Sequence, residues 1–350
     1  MTLDRGPQPM TTDLPTRVTI AEIAEQAGVS VPTVSRVLNG RPGVAPDTRG
    51  RVEHLLQQHD YRRRVARPGT RTGFIDLVVE NLDSPWALEV IVGVEPVMHA
   101  AGFSTVIHDN HDSAETRAAN RSWLKDIEKR PSDGVVLAVG GLTPRQRTRL
   151  DTIGLPFVIV DPIGHTDATT TAIGATNWAG GLAATEHLIG LGHTRIGLVG
   201  GPANLMCSRA RADGYRNALQ NAGIAVDEQL IDHGQFKLES GHRQALRLLR
   251  SDNPPSALFA NSDQQALGVY DAARELGLRI PGDLSVVGFD DLPSSAWIQP
   301  RLTTVRQPIR QMAATAAQAL LKSVLEGPQP ATRMELATTL VVRESTAPVR

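Results

Sequence analysis

From Phe74 onward the chain alternates short β-branched runs with amphipathic helical stretches, a pattern that few folds accommodate. Runs at 74–79, 105–108, 134–139, 157–160, 195–199, 230–233, 257–260 and 285–289 read as strands. Between and after them, 86–100, 114–129, 179–191, 208–222, 240–249, 264–276 and 309–325 read as helices. A helix between successive strands implies parallel sheets with crossover helices, so the fold class is α/β. The run of strands fits two sheets rather than one. We place the chain crossings between two lobes near residues 162, 290 and 327, with a last strand at 339–342.

Ahead of this body lies a differently charged head. Residues 1–71 hold 11 arginines and no lysine against seven carboxylates, a net of +4, while the remainder nets −5. Such asymmetry suits a head that meets a polyanion. In the head, Ile20, Ile23, Ala24 and Ala27 repeat at helical spacing. Thr19 is placed to cap this helix, and Glu22 completes a capping box. Gly28 can adopt the left-handed conformation that stops it. Ser30 then caps a second helix, with Pro32 in its first turn and Val34, Val37 and Leu38 turned towards the first. A third helix is expected over 47–59, with Val52, Leu55 and Leu56 as its core stripe. Two short helices joined by a glycine turn make a helix-turn-helix, whose second helix enters the major groove. Val31, Pro32, Thr33, Ser35 and Arg36 would be left exposed there, offering hydroxyls, a guanidinium and apolar tips to base edges and phosphates. A plain helical hairpin is the alternative, and it explains neither the polar outer face nor the basic charge.

Several other functions lack their chemistry. No stretch of about 18 apolar residues occurs, so no membrane span is expected. The first residues lack the apolar block of a signal peptide, and one cysteine, Cys207, permits no intrachain disulfide. Together these lead us to expect a soluble, cytoplasmic protein. Gly200-Gly201-Pro202 has no following Gly-Lys-Ser/Thr, so it is no phosphate loop. Scattered histidines without a His-x-x-x-His or a cysteine pair suggest no metal site, and no nucleophile elbow appears. No cofactor and no enzymatic activity are expected. His193 before a strand and the lone Cys207 read as structural.

The head segments 18–20, 28–30 and 33–40 (Thr-Val-Ser-Arg-Val-Leu-Asn-Gly), with Thr48-Arg49, closely resemble the LacI/GalR family of bacterial repressors. The body carries matching segments: Leu-Gly-His-Thr-Arg-Ile-Gly at 191–197, Arg211 ahead of Gly214-Tyr215, Ser-Val-Val-Gly-Phe-Asp-Asp at 285–291, and Leu-Thr-Thr-Val at 302–305. The resemblance covers essentially all of residues 17–346. It implies a helix-turn-helix domain at 17–61, a hinge at 62–72, and a two-lobed effector and dimerisation domain at 73–346 shaped like periplasmic sugar-binding proteins. In that expectation lobe 1 comprises 73–161 and 291–327, and lobe 2 comprises 162–290 and 328–346.

The resemblance assigns Thr33, Ser35, Arg36 and Asn39 to DNA contact and operator choice to Val31 and Pro32. With the capping hydroxyls of Thr19 and Ser30 and the linker cluster Arg62, Arg63 and Arg64, these form the expected DNA-binding set. The family's hinge helix inserts a leucine into the minor groove. This sequence has no leucine there, is about three residues shorter and carries the helix breaker Pro68, so arginine insertion into an unkinked groove is expected instead.

Open α/β sheets bind ligands at the C-terminal ends of their strands. Asp290 ends an apolar strand, and the resemblance makes it an acceptor for ligand hydroxyls. By the same resemblance Arg211 clamps the effector and Phe236 stacks on it, whereas Arg209 reads as surface and Asp291 as a turn residue. Trp86 serves either the core or a sugar platform, and we favour the platform. Asp161, Ser262, Asp263 and Gln307 serve either the pocket or helix caps. The combined expectation is a homodimeric repressor that binds a palindromic operator and answers to a small effector, a sugar. Three alternatives remain: a stand-alone sugar-binding protein, a co-repressor-dependent regulator of a non-sugar metabolite, and a sugar-processing enzyme with a DNA head.

Overall fold

The computed structural model describes residues 20–38, 43–58, 71–110, 123–139, 142–162 and 169–349. Two compact units are present, Met1–Arg67 and Pro68–Arg350. The first contains helices α1 (Ile20–Ala27), α2 (Val31–Leu38) and α3 (Pro46–Gln58). Their apolar stripes meet in one small core of Ile23, Ala24, Ala27, Val34, Val37 and Val52, with Leu55 and Leu56 against it. Gly28 stands at φ +65, and the amides of Gly28 and Val29 return to the carbonyls of Glu25 and Ala24. That closes α1 in the way its glycine foretold.

The second unit contains two six-stranded sheets. The first sheet has the order β11-β5-β4-β3-β1-β2, all parallel. Its strands are β1 (Phe74–Val79), β2 (Ser104–Asp109), β3 (Gly134–Ala138), β4 (Phe157–Val160), β5 (Ala172–Ala175) and β11 (Arg333–Leu336). The second has the order β12-β10-β9-β8-β6-β7. It is built from β6 (Ile196–Gly200), β7 (Ile231–His233), β8 (Ala257–Ala260), β9 (Ser285–Asp290), β10 (Thr303–Arg306) and β12 (Thr339–Val341). Only β12 runs antiparallel to its neighbour.

Central strands are buried on both faces and so read as mainly apolar runs, although β1 also buries Asp76, which pairs with Arg130 and His108. Ile75, Leu77 and Val79 pack on α4 (Pro85–Ala100) and α12 (Ile309–Glu326), while Val78 faces α5 (Trp123–Lys129) and α6 (Pro144–Ile153). In the second lobe α7 (Asn177–Gly190) and α8 (Met206–Asn221) cover one sheet face. On the other lie α9 (Leu238–Leu249) and α10 (Asp263–Glu275). A short helix, α11 (Pro293–Trp297), follows β9.

Helices α7 and α8 touch backbone to backbone. A Cβ on Gly214 would stand 2.2 Å from the Trp178 carbonyl oxygen, and one on Gly181 would stand 2.3 Å from that of Arg211. Only glycine permits this approach.

Sheet membership corrects the expected lobe boundaries. The chain leaves the first sheet at Thr176, returns to that lobe's helix layer at 307–308, and makes its last crossing at 337–338. The crossings expected near 162, 290 and 327 are therefore each displaced towards the C-terminus. Three strands account for the displacement: β5, β10 and β11 escaped the sequence reading. Ala-Ile-Gly-Ala carries little β signal, and Arg-Met-Glu-Leu alternates for only four residues on an exposed edge. Helices α6 and α11 were missed as well. Among the described residues no helix is long and apolar enough to cross a membrane.

Candidate nucleic-acid interface and effector site

In the head unit, α2 turns Val34 and Val37 inward and leaves Val31, Pro32 and Arg36 in solvent. Val31 is 42% exposed. Thr33 is half-buried, and its hydroxyl shares a 2.9 Å hydrogen bond with that of Ser30. The Ser30 carbonyl accepts the amides of Thr33 and Val34, which starts α2 where the capping argument placed it. Thr19, Asn39, Arg62, Arg63 and Arg64 lie outside the described residues, as does the Ser35 side chain. Arg49 is held on α3 near Glu53 at 4.0 Å.

In the body, β4 and β9 both end on an aspartate with positive φ: Asp161 at +50 and Asp290 at +121. Few residues besides glycine tolerate such angles, and aspartate and asparagine are among them. Arg211 lies near both carboxylates on α8 and is 3% exposed. Its Nε donates to Asn177 Oδ1 at 2.8 Å, one terminal nitrogen to the Asn261 carbonyl, and the other to Gln307 Oε1 at 3.0 Å. Asp290 Oδ1 is 3.9 Å away. The guanidinium carbon sits 3.6 Å from the centroid of Phe289, so Arg211 is stacked as well as hydrogen-bonded.

Burial raises both carboxyls. Asp290 is pushed up to about 7, because desolvation and the neighbouring Asp161 outweigh the attraction of Arg211. Asp161 is raised by burial too, against the pull of Arg211 and a hydrogen bond to Asn177. Around them two buried polar atoms lack any partner: Asn261 Oδ1 and Gln307 Nε2. An unpaired buried acceptor and donor are costly, and a ligand that supplied both partners would recover that cost.

The remaining candidates separate by their contacts. Phe236 is half-buried, 5.7 Å from the Arg211 guanidinium, and wedged where a Cβ on Gly201 would collide with its ring. Ser262 caps α10 by accepting the Gln265 amide at 3.2 Å. Asp263 is engaged on both oxygens, by the Thr304 hydroxyl at 2.6 Å and the Leu292 amide at 2.8 Å. Both residues therefore build the frame. Trp86, favoured as a platform, packs partly buried against the first-lobe core. Although burial pushes Asp291 up, hydrogen bonds from Arg343 and Arg306 hold its carboxyl below the usual range. Burial pushes the Cys207 thiol up to about 12, and His193 is tied to Ser256, Ser285 and the Ala347 carbonyl. His193 is structural, and the buried thiol is unreactive. No group of three metal-ligating side chains occurs among the described residues.

Asn177 and Asn261 were missed in the sequence. Asn261 directly follows β8, so the strand-end rule reaches it, whereas Asn177 follows the unrecognised β5. Beside this cluster lies a cavity of about 420 Å³ whose lining includes Asp161, Asn177 and Cys207. The arrangement can hold a small polar molecule between carboxylates, amides and aromatic rings.

Residues 19–64 match the family model for bacterial regulatory proteins of the lacI family, and residues 185–346 match that for a periplasmic binding protein-like domain. The transcriptional regulator MalR of Streptomyces coelicolor is 36% identical, with 94% of this chain and 96% of that protein covered. A solved complex of the transcriptional regulator CelR with cellobiose has 32% identity and a TM-score of 0.72, covering 94% of this chain and 100% of that one. The lac repressor dimer, solved on operator with the anti-inducer ONPF, has 27% identity and a TM-score of 0.68, covering 95% and 100%. These relatives are transcriptional regulators rather than enzymes. With a helix-turn-helix head, two mainly parallel sheets and matches along nearly its whole length, this chain belongs to the lacI family of DNA-binding transcriptional regulators.

Proposed function

We propose that the protein is a repressor that grips a two-fold-symmetric operator as a homodimer and is controlled by a neutral, hydroxyl-rich effector, a sugar. The observation that carries the effector class is the charge and hydrogen-bond inventory around Arg211. Two buried carboxylates face one guanidinium whose three nitrogens each already hold a protein acceptor, an arrangement that suits a neutral ligand better than an anion. Asn261 Oδ1 and Gln307 Nε2 lack partners, and sugar hydroxyls both donate and accept. The cellobiose-bound relative supports the same class. Control follows if the effector binds one lobe arrangement better than the other, since only a difference in affinity shifts an equilibrium.

Capture of host genomic fragments on the purified protein at physiological salt tests the whole reading. A two-fold-symmetric motif beside carbohydrate transport or hydrolase genes supports it, and fragments without a common motif overturn it. In the same assay Arg36→Ala is expected to weaken operator binding about 5- to 150-fold, equivalent to the roughly 1–3 kcal/mol of one base contact. Anisotropy titrations at fixed salt check this. Equal weakening on unrelated DNA would make Arg36 a phosphate contact.

The dimer reading is supported by exposed apolar residues on the first lobe. Leu88 and Val92 stand one turn apart on α4 in solvent. Ile107 on edge strand β2, in register with core residue Leu77, is exposed on the same sheet face. A paired Leu88→Asp, Val92→Asp variant is expected to sediment as a monomer with unchanged circular dichroism. Its operator affinity is expected to fall about 100-fold or more, because each half-site then binds alone. A dimeric variant would exclude this face.

A further inference from the structure

The 420 Å³ cavity beside Arg211 has a size typical of ligand pockets, about 300–1,000 Å³, and extends beyond the groups that surround the guanidinium. Its inner end is shared with that cluster, since Asn177 receives Nε of Arg211 and Asp161 feels the same charge. Its outer end is lined by Trp178, Arg333, Met334 and Glu335, none of which the effector reading above uses.

These residues are unusual for their positions. Trp178, in the first turn of α7, is 46% exposed, whereas Trp123 is buried in the first-lobe core. Met334 on β11 is also open to solvent, so two large apolar side chains border a compartment that water can enter. Glu335 acts on Asp161 through space, which places two carboxylates in range of one occupant. Small residues, among them Ala175, Ala179 and Ala210, leave the volume free. An aromatic face beside hydroxyl acceptors suits a pyranose, which has apolar C–H faces and a polar rim.

We propose that this compartment is a second effector subsite, taking the outer pyranose ring of a disaccharide whose inner ring is held at Arg211. The inference rests on the sugar reading above. It also places the outer ring at the pivot of the two lobes. Asp161, Met334 and Glu335 belong to the first sheet's strands and their ends, whereas Trp178 and Cys207 belong to α7 and α8 of the second lobe. The crossings beside them are tied together, with the Thr338 amide donating to the Thr176 hydroxyl at 3.0 Å and the Thr176 amide to the Leu336 carbonyl at 3.0 Å. A ring wedged there touches both lobes where their angle is set.

Calorimetric titration of the full-length protein tests the subsite, with maltose, cellobiose, trehalose and lactose compared against glucose and galactose. The wild type is expected to bind one disaccharide at least about tenfold more tightly than its constituent monosaccharides, the scale of one aromatic contact. Trp178→Ala is expected to bring that ratio close to one. Ala210→Phe, which fills the compartment from α8, should do the same without removing the tryptophan. A ratio that survives in either variant, or a wild type that prefers the monosaccharide, overturns the second subsite and leaves the sugar reading standing. A wild type that binds none of the sugars overturns both.

Discussion

Replacing Arg211 by lysine is expected to weaken the effector response while leaving operator binding in place. Lysine keeps the charge, but its three donors radiate from one nitrogen. It cannot serve Asn177, the Asn261 carbonyl and Gln307 together while stacking on Phe289. Losing two of these charge-assisted hydrogen bonds, at roughly 1.5–3 kcal/mol each, lowers stability and releases Asn177 and Gln307 from their places in the cluster, so a weaker effector response is expected together with a less stable fold. Arg211→Ala goes further, because Asp161 and Asp290 then lose the one cation whose charge acts on both. Breaking a buried ion pair costs about 3–5 kcal/mol, a large fraction of a domain's stability. Urea unfolding ranks the two variants: the lysine form shifts to lower denaturant, and the alanine form, which also leaves the carboxylates without their cation, shifts further. A lysine variant that binds effector within threefold of wild type would remove Arg211 from the site.

Asp290→Asn is the second large effect, and its signature is pH. In the ligand-free fold the Asp290 carboxyl titrates at about 7, raised by burial and by Asp161, against an ordinary value of 3.8. Between those values the folded state binds a proton that the unfolded chain does not. Stability from this group is therefore greatest in acid and declines as pH rises towards 7. Asparagine keeps the shape, tolerates the positive φ and carries no charge, so the variant is expected to melt a few degrees higher than wild type above pH 7. Effector binding should show the opposite trend. Ligand hydroxyls favour the carboxylate, so wild-type affinity rises with pH through about 7, while the variant binds weakly and without that dependence. Melting curves and effector titrations from pH 5 to 8 check both halves. A wild type whose effector affinity ignores pH would mean that Asp290 does not meet the ligand as a charged acceptor.

The parts of this molecule that were legible in the sequence share a physical cause. β4 and β8 are apolar runs buried in sheet interiors, where composition and position agree. The head was legible because caps, a glycine turn and helical spacing coincide within twenty residues. β5 and β11 were illegible because neighbouring strands, rather than their own residues, hold them in the sheet. Since both lie beside chain crossings, the lobe boundaries moved with them. α6 was missed for its polarity, although Thr143 and Gln146 form a complete capping box that the sequence does spell. Within the site, the strand-end aspartates were readable from position and Arg211 from the family resemblance. Asn177 depended on recognising β5, and the role of Trp86 depended on packing that no local pattern encodes.

The glycine contact between α7 and α8 has an outcome for how such a protein can change over generations. Arg211 is located by main chain pressed on main chain at Gly181 and Gly214, not by the side chains that line the neighbouring cavity. Met206, Cys207 and Ala210 project from the same helix towards the cavity without forming that joint. Substitutions at these three positions can therefore alter which molecule is accepted while the anchoring arginine stays where it is. New specificities are within reach by single steps, and the route that is closed runs through the two glycines.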